Sequence, residues 1–355
     1  MSQGPTSLPP RSETRKASKP QSNKGNKPKK PKKKRTLLKV FFVLFFGLLL
    51  TAAGLITYLG FKATDAIETI GLDETQATEV PAGESVKDKP VAFVLMGLDS
   101  REHGGTLNTD VMMVAAFNPK TKKATVVSIP RDTYIDVEGY RARKANRFYA
   151  DFYTVAKRDN GLEKEAADLE GKKAVKDVMS KLFGIDIKYA GIINFKGFSD
   201  VVDALGGVQV NVDIRMKYTD NADGTDIDLQ PGYQLLNGED ALDFVRYRKS
   251  KDGTNMSSDF DRNRRQSEVL SALVDKMMSL GGITKIGSVI DSVGNNVTMD
   301  MPSKEITRML QKYMSIRSDD IEFIALEGVW RSPNVYVNED SLAQARAALQ
   351  AKMAE

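Results

Sequence analysis

The stretch that decides the fold runs from Val91 to Asp132, VAFVLMGLDSREHGGTLNTDVMMVAAFNPKTKKATVVSIPRD. Val91 to Leu98 is a near-continuous apolar run, the pattern of a buried strand. Val111 to Phe117 is a second such run. Asn118-Pro119-Lys120-Thr121 reads as a turn, and Ala124 to Ile129 returns as a third strand. So tight a turn makes the second and third strands antiparallel neighbours. Polar islands punctuate the ends of these runs: Asp99-Ser100-Arg101, Asn108-Thr109-Asp110 and Ser128-Ile129-Pro130-Arg131-Asp132. Strands commonly deliver functional side chains where the chain leaves the core.

Downstream, Glu163 to Phe183 has helical spacing, and Gly184 suits its C-terminal cap. Ile187 to Ile193 reads as a strand. Asn194 is placed to cap a helix running to Leu205, which Gly206-Gly207 ends. Val208, Val210 and Val212 alternate with polar residues, as in a half-buried strand. Residues 213–233 read as a polar segment with a Pro231-Gly232 turn. Asn237 caps a short helix from Gly238 to Val245, which leads into Arg246-Tyr247-Arg248. A hydrophilic loop, Lys249 to Ser258, precedes a strong helix from Asp259 to Leu280. Helices at Ser303 to Met314 and Glu339 to Met353 flank a strand at Ile321 to Leu326. Strands and helices mingle without strict alternation. The expected fold is one mixed α/β domain with helices on both faces of its sheet.

Upstream, the composition changes sharply. Residues 1–39 hold 13 Lys and Arg against the single acid Glu13. The whole chain carries only +5, so the remainder is net acidic, about −7. A segment this rich in Lys, Pro, Ser and Gly cannot bury a core. Val40 to Phe61 follows, 22 residues without a charge. At 1.5 Å per residue such a helix spans roughly the ~30 Å hydrocarbon layer of a bilayer. Lys32, Lys33, Lys34, Arg35 and Lys39 flank it on the N-terminal side, which places the tail inside and the bulk of the chain outside. A cleaved signal peptide would have a shorter apolar region and a small-residue cleavage site, so an uncleaved anchor is the expectation. The basic run lies against this span and reads as contact with anionic lipid head groups, not with nucleic acid. The organisation is therefore a cytoplasmic tail over 1–39, a transmembrane helix over 40–61, a stalk over 62–86 and an outer domain over 87–355 ending in a helical extension.

The chain has no cysteine and one histidine, His103, in a Gly-rich loop that reads as solvated. That excludes thiolate chemistry and a multi-histidine metal site, and it disfavours a Ser-His-Asp hydrolase. Asp99 and Asp110 close and open strands that would meet at one sheet edge if they are neighbours. Two carboxylates without His or Cys suit a hard cation such as Mg²⁺ completed by phosphate oxygens. Acids at strand ends also form turns and caps, so the pair alone leaves both readings open. The arginines add weight. Arg131 ends the third strand. Arg246 and Arg248 would share a face of an extended segment, and Arg262 and Gln266 a face of a helix. Guanidinium groups hold phosphate oxygens in bidentate fashion. Ile192, Phe195, Phe198, Val201, Val202 and Leu205 are candidates for an apolar slot, or for ordinary core.

These islands, with Lys144-Ala145-Asn146, Gly206-Gly207-Val208, the segment Leu236 to Leu242 and Arg265-Gln266, resemble the LytR–CpsA–Psr proteins of bacterial cell envelopes, in the family's order and over roughly residues 90–275. The resemblance implies a single α/β/α domain that holds a polyprenyl-linked pyrophosphate. By it, Asp99 and Asp110 would place Mg²⁺ and act with Arg131 in catalysis. Arg131, Arg246, Arg248, Arg262 and Gln266 would clamp the phosphates, and Lys144 would lie near the head group. The implied activity is transfer of a glycopolymer from undecaprenyl pyrophosphate to a peptidoglycan hydroxyl. The sequence departs from the family where Leu107-Asn108-Thr109-Asp110 lacks a common arginine before the second acid. A pyrophosphatase acting on the same lipid, or an envelope regulator that binds lipid-linked precursors, are the competing readings. The tail has no helix-turn-helix pattern that would read DNA directly.

The charge asymmetry across Val40 to Phe61 makes the topology testable. Protease added to wall-stripped cells should digest residues 62–355 and spare the tail; the opposite pattern would reverse the assignment.

Overall fold

The computed structural model describes residues 67–72, 79–81, 83–99, 107–220, 225–279 and 285–354. The basic tail, the apolar run 40–61, His103 and the Ser100-Arg101 pair lie outside the described residues. Among the described residues, no helix is long and apolar enough to cross a membrane.

The three opening strands form as their apolar runs dictate: β1 (Val91–Leu98), β2 (Thr109–Asn118) and β3 (Lys123–Ser128). A short ribbon follows, β4 (Tyr134–Ile135) and β5 (Arg143–Lys144), then α1 (Arg147–Thr154). Helix α2 (Lys164–Phe183) ends at Gly184, whose φ of 66° is the left-handed cap conformation that glycine reaches without strain. Strand β6 (Ile187–Asn194) runs directly into α3 (Phe195–Leu205), where the Asn194 side chain accepts from the Gly197 N–H at 2.8 Å.

Next come β7 (Val208–Val212), β8 (Met216–Asp220), β9 (Thr225–Leu229) and β10 (Gly232–Leu236). Helix α4 (Gly238–Arg246) is capped by Asn237, and α5 (Asp259–Met278) by a Ser258–Asp261 capping box. The remaining elements are α6 (Ile286–Val293), β11 (Val297–Met299), α7 (Ser303–Tyr313), β12 (Ile321–Ala325), β13 (Gly328–Arg331), β14 (Asn334–Val337) and α8 (Glu339–Ala354).

Six strands make the central sheet in the order β11-β6-β1-β2-β3-β12. The β1–β2 and β2–β3 pairs are antiparallel, as expected, while β6 and β12 join in parallel. Alternation along β1 sends Ala92, Val94, Met96 and Leu98 to one face, where α1, α2 and α8 cover them with Phe148, Val175, Met179, Phe183 and Leu349. Val91 and Phe93 face the other side. There they meet Tyr189, Ile290, Met301 and Ile306. Each fully buried side chain of this size contributes about 1.5–3 kcal/mol of hydrophobic stabilisation before entropic costs. A separate core beneath β7–β10 joins α3, α4 and α5 through Leu205, Val210, Leu236, Phe244 and Val269. The sheet with helices on both faces is the mixed α/β architecture expected of this sequence.

Three features differ from the expectations. The polar segment 213–233 contains the β8–β9 hairpin, whose buried Met216, Ile227 and Leu229 are spaced between charged residues. The C-terminal part is no extension. Strand β12 completes the sheet edge, and Ala345 and Leu349 complete the core on the α8 face. The stalk is partly docked: Ile67 and Ile70, three apart on one helical turn, are buried against Met301 and Ile306.

Glu305 secures this last region. It is 1% exposed and accepts from the Val86 N–H at 2.8 Å, from the Ser85 hydroxyl at 3.0 Å and from Arg308. Burial pushes its carboxyl upward, but the Val86 N–H, Arg308 and Ser85 outweigh it and hold the group below its ordinary value. A depressed folded-state value stabilises the fold above the unfolded pKa, and that contribution is lost as pH falls through the folded one. Glu305→Gln should therefore unfold at lower urea than wild type at pH 7, with the gap closing by pH 3. A gap that is constant with pH would show that the charge does nothing there.

Candidate active site

Antiparallel pairing sets Leu98 opposite Thr109, so Asp99 and Asp110 emerge side by side at the end of β1 and the start of β2. Strand β3 pairs Ser128 with Met113 and carries the chain on to Arg131. Arg131 reaches back across β2 and pairs with Asp110. The three residues that lay apart in sequence thus meet at one edge of the sheet.

They open onto a cavity of about 760 Å³ on the face covered by α3, α4 and α5. Its deeper wall is apolar. Leu95, Met113, Gly191 and Met299 lie on adjoining strands across the sheet, and Phe198, Val201, Leu242, Leu270 and Leu273 close it from the helices. Of the apolar slot candidates, Ile192, Phe195, Phe198 and Val201 line this cavity, whereas Val202 and Leu205 belong to the neighbouring core. Tyr218 and Ile227 of the β8–β9 hairpin also line it; sequence reading missed them because their hairpin reads as polar.

The mouth collects five cationic side chains, Arg131, Arg246, Arg248, Lys249 and Arg262, against the two carboxylates Asp99 and Asp110. Gln266 lies beside Arg262, one turn on along α5. Helix α4 ends at Arg246; Tyr247, 1% exposed, then points into the core so that Arg246 and Arg248 both reach the mouth. The Arg246 guanidinium stacks on Phe195 at 4.9 Å and lies 3.8 Å from Asp243. Arg262 is 9% exposed and pairs with Asp259. Burial first, then the neighbouring Arg131 charge, push it down to about 10.

Among the described residues, the buried Arg131 Nε, Arg262 Nε and Asn146 Oδ1 find no hydrogen-bond partner, although Asp132 Oδ2 lies 3.6 Å from Arg131 Nε. Crowded guanidiniums with idle donors make a site short of negative charge.

Lys144 does not line the cavity. Its ammonium bonds Asp132 at 2.9 Å and lies 5.8 Å from the Trp330 ring centre, so it stands beside the mouth and not in it. Arg265 and Asp261 belong to the framework. Arg265 is fully buried, holds Asp213 at 2.9 and 3.0 Å and donates to Ser257 at 2.8 Å, while Asp261 serves the cap of α5. No group of three or more His, Cys, Asp or Glu gathers among the described residues. Asp99 and Asp110 by themselves offer hard oxygen donors of the kind that Mg²⁺ takes together with substrate phosphates.

The apolar slot thus ends in a cationic, carboxylate-bearing mouth. The LytR_cpsA_psr family model matches residues 57–354, and the chain belongs to that family. TagT of Bacillus subtilis (strain 168) is 31% identical over 269 residues, 73% of this chain and 76% of that protein. TagV of the same organism is 28% identical over 310 residues, 84% and 74% of the two chains. Both bear the name polyisoprenyl-teichoic acid–peptidoglycan teichoic acid transferase. The crystal structure of B. subtilis TagV superposes with a TM-score of 0.57 at 28% identity, over 75% of this chain and 98% of that one. TagT bound to LIIa-WTA does so with a TM-score of 0.56 at 25% identity, over 79% and 96%.

Asp243 beside Arg246 gives the site a pH signature. Burial pushes its carboxyl up to about 7, Arg246 pulls it down, and Glu239, Asp240 and Asp226 add to the rise. The unfolded chain ionises near 3.8, so the folded state holds an extra proton between about pH 4 and 7, and stability falls across that window. Asp243→Asn should raise Tm at pH 8 and change it little at pH 4. A larger gain at pH 4 would contradict the burial argument.

Proposed function

We propose that this chain is a membrane-anchored transferase that moves a glycopolymer from an undecaprenyl pyrophosphate carrier to a peptidoglycan hydroxyl. The observation that carries this reading is the continuity of the apolar cavity with the arginine-lined mouth, which matches a lipid chain joined to a diphosphate. Relatives named as teichoic acid transferases support the reaction class.

In this reading the polyprenyl chain fills the wall formed by Phe198, Val201, Leu242, Leu270 and Leu273. Arg131, Arg246, Arg248, Arg262 and Gln266 hold the two phosphates. The acceptor oxygen attacks the glycopolymer-bearing phosphorus, the P–O bond to the lipid phosphate breaks, and polyprenyl monophosphate leaves as the acceptor proton is released. Such a transfer needs positioning and charge neutralisation more than a protein nucleophile. Arg131 bridges from Asp110 toward the phosphate, so it stabilises charge that grows on the leaving group. Asp99 and Asp110 would hold Mg²⁺, which would supply further neutralising charge when bound. The apolar run 40–61 would anchor the chain, with residues 62–355 outside the cell.

Arg131→Ala and Arg246→Ala should each lower transfer at least tenfold with the fold intact, the loss of charge-assisted bonds worth about 1.5–3 kcal/mol. Arg158→Ala, at a fully exposed site, is the control. Omitting the peptidoglycan acceptor should stop product formation; turnover without it would mark a pyrophosphatase. Polyprenyl pyrophosphate titrated with Mg²⁺ and with chelator should bind more tightly with the metal, and Asp99→Asn or Asp110→Asn should abolish the difference. Equal wild-type affinity under both conditions would remove the metal from the mechanism.

A further inference from the structure

The exposed aromatic side chains Tyr134, Trp330 and Tyr336 lie on the two ribbons beside the mouth, with Trp330 and Tyr336 alternating to opposite faces of theirs. Trp330 is 52% exposed, on the β13–β14 hairpin. The hairpin docks on the segment that carries Arg131: Thr133 bridges to Val335, and the Val335 N–H donates to the Asp132 carbonyl at 2.9 Å. Tyr134 and Tyr336 stack at 5.4 Å. Lys144 sits opposite Tyr134 in the β4–β5 ladder and places its ammonium 5.8 Å from the Trp330 ring centre. That ammonium bonds Asp132, whose other oxygen faces Arg131 Nε. A short chain of contacts therefore links Trp330 through Lys144 and Asp132 to Arg131 at the mouth.

Nothing in the fold explains this exposure. Large rings left in water next to donors and acceptors mark a binding surface. One face of a hexopyranose is a patch of C–H bonds that stacks on the electron-rich face of an aromatic ring, while its rim of hydroxyls needs polar partners. The cluster offers both. A bilayer would use the ring but leave the Asp132–Lys144 pair without a counterpart. With the donor lipid assigned to the cavity and the arginines, the acceptor is left to a surface beside the mouth.

We propose that Trp330, with Lys144 and Asp132, forms a subsite for a sugar ring of the acceptor glycan, a placement that rests on the transferase reading. The subsite holds the strand so that a hydroxyl is presented to the phosphate held by Arg131.

Trp330 is the only tryptophan in the chain, so its emission reports this site alone. The full chain, reconstituted in phosphatidylglycerol vesicles, is titrated with a β-1,4-linked N-acetylglucosamine tetrasaccharide, and separately prepared with brominated acyl chains. The tetrasaccharide should change Trp330 emission saturably, and the brominated lipid should leave it unquenched. In transfer assays, Trp330→Ala should raise KM for a glycan acceptor about tenfold with KM for the lipid donor unchanged, and Trp330→Tyr should restore most of the loss. An emission indifferent to the sugar, quenching by brominated lipid, or a rise in donor KM would each overturn the subsite. Because the titration needs no turnover, sugar binding without transfer would instead sink the transferase reading.

Discussion

The site depends on one register. The β1–β2 ladder runs from Val91 opposite Phe117 to Leu98 opposite Thr109, with an irregularity between Gly97 and Leu98. It fixes Asp99 and Asp110 at a common edge and, through β3, brings Arg131 to them. Side chains alternate across a sheet, so a one-residue slip would exchange its two faces. Leu95 and Met113 would leave the cavity for the opposite core, and Asp110 would turn from Arg131. Buried apolar side chains on both faces, from Ala92 and Met112 to Phe93 and Ala115, forbid that slip.

On this fixed edge the fold gathers positive charge at a cost. Arg262 is buried near Arg131, and both keep an Nε without a hydrogen-bond partner. Desolvated like charges destabilise a protein unless neighbours compensate. The compensation here is local and incomplete: Asp110 on Arg131, Asp259 on Arg262, and the Phe195 ring under Arg246. Arg265, gripped by Asp213 and Ser257, ties α5 to the residues before β8 and the loop before α5, and so keeps Arg262 and Gln266 aimed at the mouth. These contacts hold the charged groups in place from within the protein, the arrangement that favours electrostatic stabilisation.

Much of this was legible in the sequence, for identifiable reasons. Strands β1, β2, β3 and β6 are buried on both faces, so their apolar runs are nearly unbroken. Gly184, Asn194 and Asn237 are caps whose chemistry is local. The polar islands were visible because most sit at the end of an apolar run, and seven of the eight chosen residues reach the cavity. Asp99, Asp110, Arg131, Arg246, Arg248, Arg262 and Gln266 all line the cavity. Lys144 does not, because its register in the two-residue strand β5 points it at Asp132. The β8–β9 hairpin was hidden by charged residues on its outer face, and the docking of Ile67 and Ile70 by the polar residues around them. Burial of Arg265 has no local signal; only the fold reveals its distance from solvent.

The placement of α8 has a consequence for the order of folding. Ala345 and Leu349 complete the core that covers β1, β2 and β3, and β12 shields the edge of β3. Both partners lie far along the chain from the strands they protect. A growing polypeptide would therefore carry a finished hairpin of β2 and β3 with one edge unpaired until β12 emerged and one face bare until α8 followed. Such long-range closure slows folding and leaves an adhesive intermediate exposed. Shortening the domain by that single helix would bare the face of β2 and β3 that it covers.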